Sequence, residues 1–83
     1  MRTIQETAMD FMHGNEQNFY ATDLKVRLRI FNNEVDVESI WYSKKEDKIY
    51  IHVGCFEFEG DLDIDSLSSE NKTILQKAME SRI

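Results

Sequence analysis

The chain has 83 residues, with 16 acidic and 10 basic side chains besides two histidines, and its formal net charge at pH 7 is −6. A chain this short has material for one hydrophobic core, and a hydrophobic fraction of 41% excludes an intrinsically disordered polymer. Cys55 is the only cysteine, so an internal disulfide is excluded. We therefore expect one compact domain over residues 1–83, located in the reducing cytoplasm.

The N-terminal segment predicts a short amphipathic helix. Thr3 followed by Glu6 matches a capping box, in which each side chain bonds the other residue's backbone N–H. Apolar residues recur at helical spacing over about residues 4–13, and Gly14 then supplies a stop signal. Glu6 and Asp10 interrupt the apolar character, so the segment is not predicted to be a signal peptide, and no stretch of the chain is long and apolar enough for a membrane span.

A first β-hairpin is predicted over residues 24–38. Apolar side chains alternate with charged ones from Leu24 to Ile30, which is typical of a half-buried strand. Alternation resumes after Asn32 and Asn33, two residues that tolerate the left-handed backbone of a tight turn. If those two residues form the turn, Arg27 lies opposite Glu38 on the neighbouring strand.

The segment KIYIHV predicts a third strand after the polar turn KKED. Its apolar residues are expected to share the core face with Trp41, which leaves Tyr42, Tyr50 and His52 on the opposite face. The apolar phase changes at Gly54, where a bulge is expected to keep the following phenylalanines in the core. Gly60 is expected to mark a second bend.

The last helix is predicted to begin after Ser68 or Asp65, because either side chain is a good N-terminal cap. Its apolar stripe includes Leu75 and Met79. The element order then predicts an α+β fold with an N-terminal helix, a three- to four-stranded antiparallel meander and a C-terminal helix packed on the sheet.

The stretch FEFEGDLDID places carboxylates at alternate positions, and three uses for them are open: binding a cation, imitating a polyanion, or facing water. Asp61, Asp63 and Asp65 match the first, third and fifth positions of an EF-hand loop, but Lys72 stands where a bidentate glutamate should close the site. Alternate strand residues advance about 6.6 Å, whereas duplex DNA carries one charge per about 1.7 Å, so one strand is too sparse a mimic. A solvated face that discourages edge pairing is the simplest interpretation.

Catalytic, cofactor and metal sites are not predicted. His52 and Cys55 are three residues apart, but a structural zinc site needs four ligands and no second cysteine exists. The acidic residues after Cys55 oppose formation of a nucleophilic thiolate. We expect Cys55 to be a small buried residue and the protein not to be an enzyme.

The charge distribution instead indicates an interaction or regulatory module. Residues 57–70 hold six acids and no lysine or arginine, so basic protein partners are favoured. We expect docking of a protein partner, or of a second copy in a homodimer, through an acidic strand over residues 57–65, exposed sheet aromatics, or both. The candidate residues are Glu57, Glu59, Asp61, Asp63, Tyr42, Tyr50 and His52.

A second hypothesis is a single-stranded nucleic-acid interface. Lys25, Arg27 and Arg29 would bind phosphates there, and Tyr42 and Tyr50 would stack on bases. The net negative charge disfavours it, as it disfavours anionic membranes. An acidic nucleic-acid mimic is the remaining alternative, and it would need neighbouring carboxylates such as Asp36, Glu38 or Glu70 to widen the row of the acidic strand into a patch.

Overall fold

The computed structural model describes residues 2–12 and 20–82, without the side chains of residues 20–23. The described chain is an α+β fold, as predicted: a helix, four strands, a 3-10 turn and a second helix. The elements are α1 (Ile4–Phe11), β1 (Tyr20–Ile30), β2 (Asn33–Ser43), β3 (Lys48–Gly54), β4 (Glu59–Asp63), a 3-10 helix (Ile64–Ser66) and α2 (Ser69–Glu80). Neither of these helices has the length and apolar character that a membrane crossing requires.

The four strands form one antiparallel sheet in the order β1-β2-β3-β4. One cluster of buried side chains contains residues from both helices and from a single face of the sheet. Its fully enclosed members include Ala8, Leu28, Ile40, Ile51, Leu75 and Met79. The opposite sheet face therefore stands outside the core of the described chain.

Both helix starts agree with the sequence pattern. The Thr3 side chain accepts a hydrogen bond from the Glu6 N–H, and the Glu6 carboxylate accepts one from the Thr3 N–H, which completes the predicted capping box. The Ser68 hydroxyl caps α2 by accepting from the Asn71 N–H at 3.2 Å. The stop predicted at Gly14 lies outside the described residues.

The first hairpin has a different register from the predicted one. Its turn is Phe31–Asn32, with φ of 52° and 63°, and Arg27 lies opposite Asp36. The predicted pairing of Arg27 with Glu38 is wrong. Two consecutive positive φ values suit the twist of a tight hairpin, and moving the turn by one residue shifts the pairing by two, so every side chain keeps its face. Alternation alone cannot separate two such registers.

A bulge in β2 reverses the faces of the residues after it. Val37 pairs with Val53, but the next pair is Ser39 with His52, so Glu38 is the extra residue. After the bulge Ile40 points into the core and Trp41 points to the opposite face. The predictions that Trp41 lies in the core and Tyr42 on the opposite face are both wrong. Tyr42 packs against the core cluster, and its hydroxyl donates to Asp47 at 2.6 Å.

The stretch FEFEGDLDID is divided among three elements. β3 ends at Gly54, and a loop closed by a hydrogen bond from the Cys55 N–H to the Phe58 carbonyl, 2.9 Å long, leads into β4. Phe56 in this loop is fully exposed, so the expectation that the phenylalanines continue the core holds only for the partly buried Phe58. Cys55 is also only partly buried. The bend predicted at Gly60 is wrong, because this residue pairs with Val53 inside β4.

A buried amide joins α2 to the outer edge of the sheet. Asn71 is 5% exposed, and its Nδ2 donates to the Arg29 carbonyl at 2.8 Å. The same side chain's Oδ1 accepts from the Arg29 N–H at 3.4 Å. One side chain thus satisfies both outward-facing backbone groups of a strand residue.

Candidate functional site

The sheet face opposite the helices, called the open face below, is the candidate site. It contains the strand residues that alternate with the buried ones, together with Glu38 of the bulge. Its described charged side chains are six carboxylates, Glu34, Asp36, Glu38, Glu59, Asp61 and Asp63, and three permanent cations, Arg27, Arg29 and Lys48. A fourth cation, Lys25 at the irregularity of β1, lines a surface pocket together with Arg27, Asp36 and Glu38. The open face therefore has a negative charge that His52 offsets only when it is protonated.

An aromatic pair lies on this face. Trp41 stacks on the cross-strand neighbour Tyr50 with ring centroids 4.8 Å apart and 20° between planes. The indole Nε1 of Trp41 donates to Asp61 Oδ1 at 3.0 Å. The Tyr50 hydroxyl donates to Glu46 at 2.7 Å, and this hydrogen bond raises the pKa of Tyr50. Both rings are half-buried, and each is held by one hydrogen bond in addition to the stack.

His52 is enclosed by three carboxylates. Its Nε2 lies 2.8 Å from Glu59 Oε1 and 3.3 Å from Glu38 Oε2. Its Nδ1 lies 3.1 Å from Asp61 Oδ1, the same oxygen that accepts the hydrogen bond from Trp41. The hydrogen bond to Glu59 raises the pKa of His52, burial opposes it, and the contacts with Asp61 add to the increase. Each nitrogen of the protonated ring can donate to a carboxylate.

Two of the permanent cations, Arg27 and Lys48, lie toward the margins of the open face and are paired there. Arg27 on the edge strand β1 donates to Asp36 at 3.0 Å and lies 3.8 Å from Glu34. Lys48 at the start of β3 lies 3.3 Å from Asp63. The carboxylates around His52 thus lack a permanent cation within ion-pair distance among the described residues, and the negative potential is concentrated at the centre of the face.

The structure brings together five of the seven residues predicted to bind a partner. Glu59, Asp61 and Asp63 lie on β4 beside Tyr50 and His52 on β3. Glu57 is instead in the exposed loop before β4, and Tyr42 is on the core side of the sheet.

From the sequence, Glu38 is expected only as a carboxylate that could widen a nucleic-acid mimic, and Trp41 is expected in the core. The positions of both residues depend on the bulge in β2, and the segment EVDVESIWYS contains no glycine to signal it.

The structure separates the residues of the nucleic-acid hypothesis. Lys25 has φ of 54° at an irregularity of β1, and Tyr50 stands on the opposite face from Tyr42.

The raised pKa of His52 predicts a pH-dependent contribution to folding stability. Because the folded pKa lies above the unfolded value of 6.5, the contribution is fully present below that value and is lost as pH rises through the folded pKa. We expect His52→Gln to lower the free energy of unfolding by about 0.5–1 kcal/mol at about pH 5.5, and by much less at about pH 8.5. Urea unfolding at both pH values, with a chelator present, measures this difference. A difference independent of pH would contradict the assignment.

Comparison with protein-family models, with curated proteins and with solved structures found no match for the chain. The chemistry of the open face is therefore the basis for a functional assignment. It offers concentrated carboxylates, a fixed aromatic pair and one imidazole, and this combination is suited to binding cations.

Proposed function

We propose that the protein is a non-catalytic interaction module that docks a basic segment of a partner protein on its open face, in the cytoplasm. The observation that carries the proposal is the placement of the Trp41–Tyr50 stack beside the carboxylates of β4 on a sheet face that no described helix covers. The occupant follows from charge complementarity, because an acidic surface attracts arginine and lysine side chains and repels acidic ones.

Carboxylates and aromatic rings recognise arginine in different ways. A guanidinium group can donate two parallel hydrogen bonds to one carboxylate, and its flat face can stack on an indole or phenol ring. On the open face both kinds of group occur within one side-chain length of each other, since Asp61 bonds Trp41 directly. An arginine of the partner can therefore be held by a ring and a carboxylate together.

Titration with a synthetic arginine-rich peptide tests this function. Trp41 is the only tryptophan, so its fluorescence reports events on the open face. The test variant carries Glu38→Gln, Glu59→Gln and Asp63→Asn. The matched control carries Glu57→Gln, Glu70→Gln and Glu80→Gln, which removes the same charge from the loop and from α2.

We expect the test variant to bind the peptide at least about tenfold more weakly than the wild type, because each of the three charge-assisted contacts contributes about 0.5–1 kcal/mol. The control should stay close to the wild type, and binding should weaken with added salt. The titrations are run with a chelator so that metal ions do not occupy the carboxylates. Equal weakening in both variants, or absence of binding to the wild type, would overturn the proposal.

The nucleic-acid hypothesis has less support from the geometry. Arg27 is engaged by Asp36 and Glu34, and its neighbours on the open face are predominantly acidic. A fluorescence titration with a single-stranded oligonucleotide under the same conditions is the direct comparison. Tighter binding of the oligonucleotide than of the basic peptide would favour this second hypothesis over the first.

A further inference from the structure

We propose that Glu38, His52 and Glu59 form a binding site for a divalent transition-metal ion, of which Zn²⁺ is the best match. The site goes beyond peptide docking, since the ion alone is its ligand. Each of the three residues presents one ligand atom, and these atoms all lie within 4.8 Å of one another. Imidazole nitrogen with carboxylate oxygens is a ligand set that Zn²⁺ accepts in proteins.

The two distances from His52 Nε2 fit a metal ion after small movements, and the two glutamate oxygens lie within 4.8 Å of each other. Bonds of about 2.0–2.1 Å at tetrahedral angles separate ligand atoms by roughly 3.3–3.4 Å. His52 Nε2 is 3.3 Å from Glu38 Oε2, which meets this value. The same nitrogen is 2.8 Å from Glu59 Oε1, so that hydrogen bond must open by about half an ångström when the ion replaces its proton. Glu59 has the freedom to move, since its side chain is 67% exposed.

The imidazole is oriented for metal binding from its other side. Asp61 Oδ1 lies 3.1 Å from His52 Nδ1, and the same oxygen is fixed by the Trp41 indole. A carboxylate on the second nitrogen of a metal-binding histidine fixes the ring orientation and the tautomer that leaves the first nitrogen free. Asp61 and Trp41 thus act as positioning residues for the Nε2 lone pair.

Gly54 provides the space that the Glu38 carboxylate occupies. A Cβ atom at this position would be 3.3 Å from Glu38 Oε1, which is closer than ordinary van der Waals contact. The φ angle of Gly54 is not positive, so its backbone does not itself require glycine. A side chain at this position would crowd the carboxylate that comes from the β2 bulge and contacts His52. This observation is independent of the hydrogen bonds around the ring.

Electrostatics favour a cation at this position. Glu38, Glu59 and Asp61 surround one imidazole, so the neutral ring leaves three carboxylates close together without a compensating charge. A divalent ion relieves their mutual repulsion. With three protein ligands, the ion retains an open coordination position for water, as in metal sites that exchange ligands.

The test is calorimetric titration of the full chain with Zn²⁺ alone near neutral pH, combined with nitrogen NMR of the His52 ring. We expect one ion per chain, with a shift of the Nε2 resonance. His52→Gln should weaken binding by more than about tenfold, and so should Glu38→Gln with Glu59→Gln. Asp61→Asn should weaken it by about 10–100-fold, the usual effect of losing such a partner. Circular dichroism checks that each variant is folded.

The chain supplies two matched controls. His13→Gln removes the other histidine, and Cys55→Ser removes the only thiol; both should bind Zn²⁺ like the wild type. Zn²⁺ affinity that follows His13 or Cys55 instead of His52 would overturn the proposal. An unchanged affinity in both the His52 and the glutamate variants would overturn it as well, and would assign the ion to non-specific carboxylate binding. Peptide docking is measured with a chelator, so failure of either proposal is distinguishable from failure of the other.

Discussion

Replacing Ile40 with alanine is expected to lower the free energy of unfolding by about 3–4 kcal/mol, whereas replacing its larger neighbour Trp41 should cost only about 1–2 kcal/mol. Ile40 is fully buried and pairs with Ile51 across the sheet, so truncation leaves a cavity in the core. Trp41 is half-buried on the open face, where truncation removes one ring stack and one hydrogen bond. Alternation alone, without the bulge in β2, places Trp41 in the core and predicts the opposite order.

Urea unfolding followed by circular dichroism measures both variants without using tryptophan fluorescence. Val35→Ala is a suitable reference, because it truncates a buried residue on the same strand before the bulge. The loss of unfolding free energy in Val35→Ala should fall in the range that is usual for truncating a buried aliphatic side chain. A greater loss for Trp41→Ala than for Ile40→Ala would show that the strand faces are not reversed, and the assignment of the open face would fail with it.

Asn71→Ala is expected to lower the free energy of unfolding by about 2–3 kcal/mol. The change removes two hydrogen bonds to the backbone of Arg29 and leaves a part-buried N–H and carbonyl without their partner. Urea unfolding gives the size of the loss, and hydrogen exchange of the Arg29 amide locates it. The exchange rate of that amide should increase from the wild type to the variant by more than the exchange rates of amides in β3.

The neighbouring substitution Lys72→Ala is the control, because it changes the residue next to Asn71 in the same turn of α2. It should leave both stability and exchange of the Arg29 amide close to the wild type. If Asn71→Ala destabilises the protein while protection of the Arg29 amide is unchanged, the side chain acts within α2 and not as a link to the sheet.

The helices and the element order could be predicted from the sequence because their signals are local. The capping box at Thr3 and the cap at Ser68 depend on residues three positions apart, and the structure confirms both. The apolar alternation in β1 and β3 likewise identified the buried faces of those strands. These features require no knowledge of which strand lies next to which.

The candidate site could be predicted only in part, because its geometry depends on pairing between strands. Glu59, Asp61 and His52 were identified from charge and alternation alone. The position of Glu38 beside His52 and that of Trp41 on the open face could not be predicted, since both depend on a bulge that is defined only against β3. An insertion of one residue in the pairing leaves no local signal, yet it reverses every side chain that follows.

The link between Asn71 and Arg29 also limits how the sheet can grow. β1 and β4 are the two edge strands, and an incoming chain needs a continuous row of free backbone groups to add to either. On β1 that row is occupied at Arg29 and broken by the irregularity at Lys25, so lateral addition there is disfavoured. Extension is left to the short edge of β4. With one edge strand left for pairing, two copies joined through β4 would leave neither copy a second free edge, so the arrangement disfavours the addition of further chains in a line.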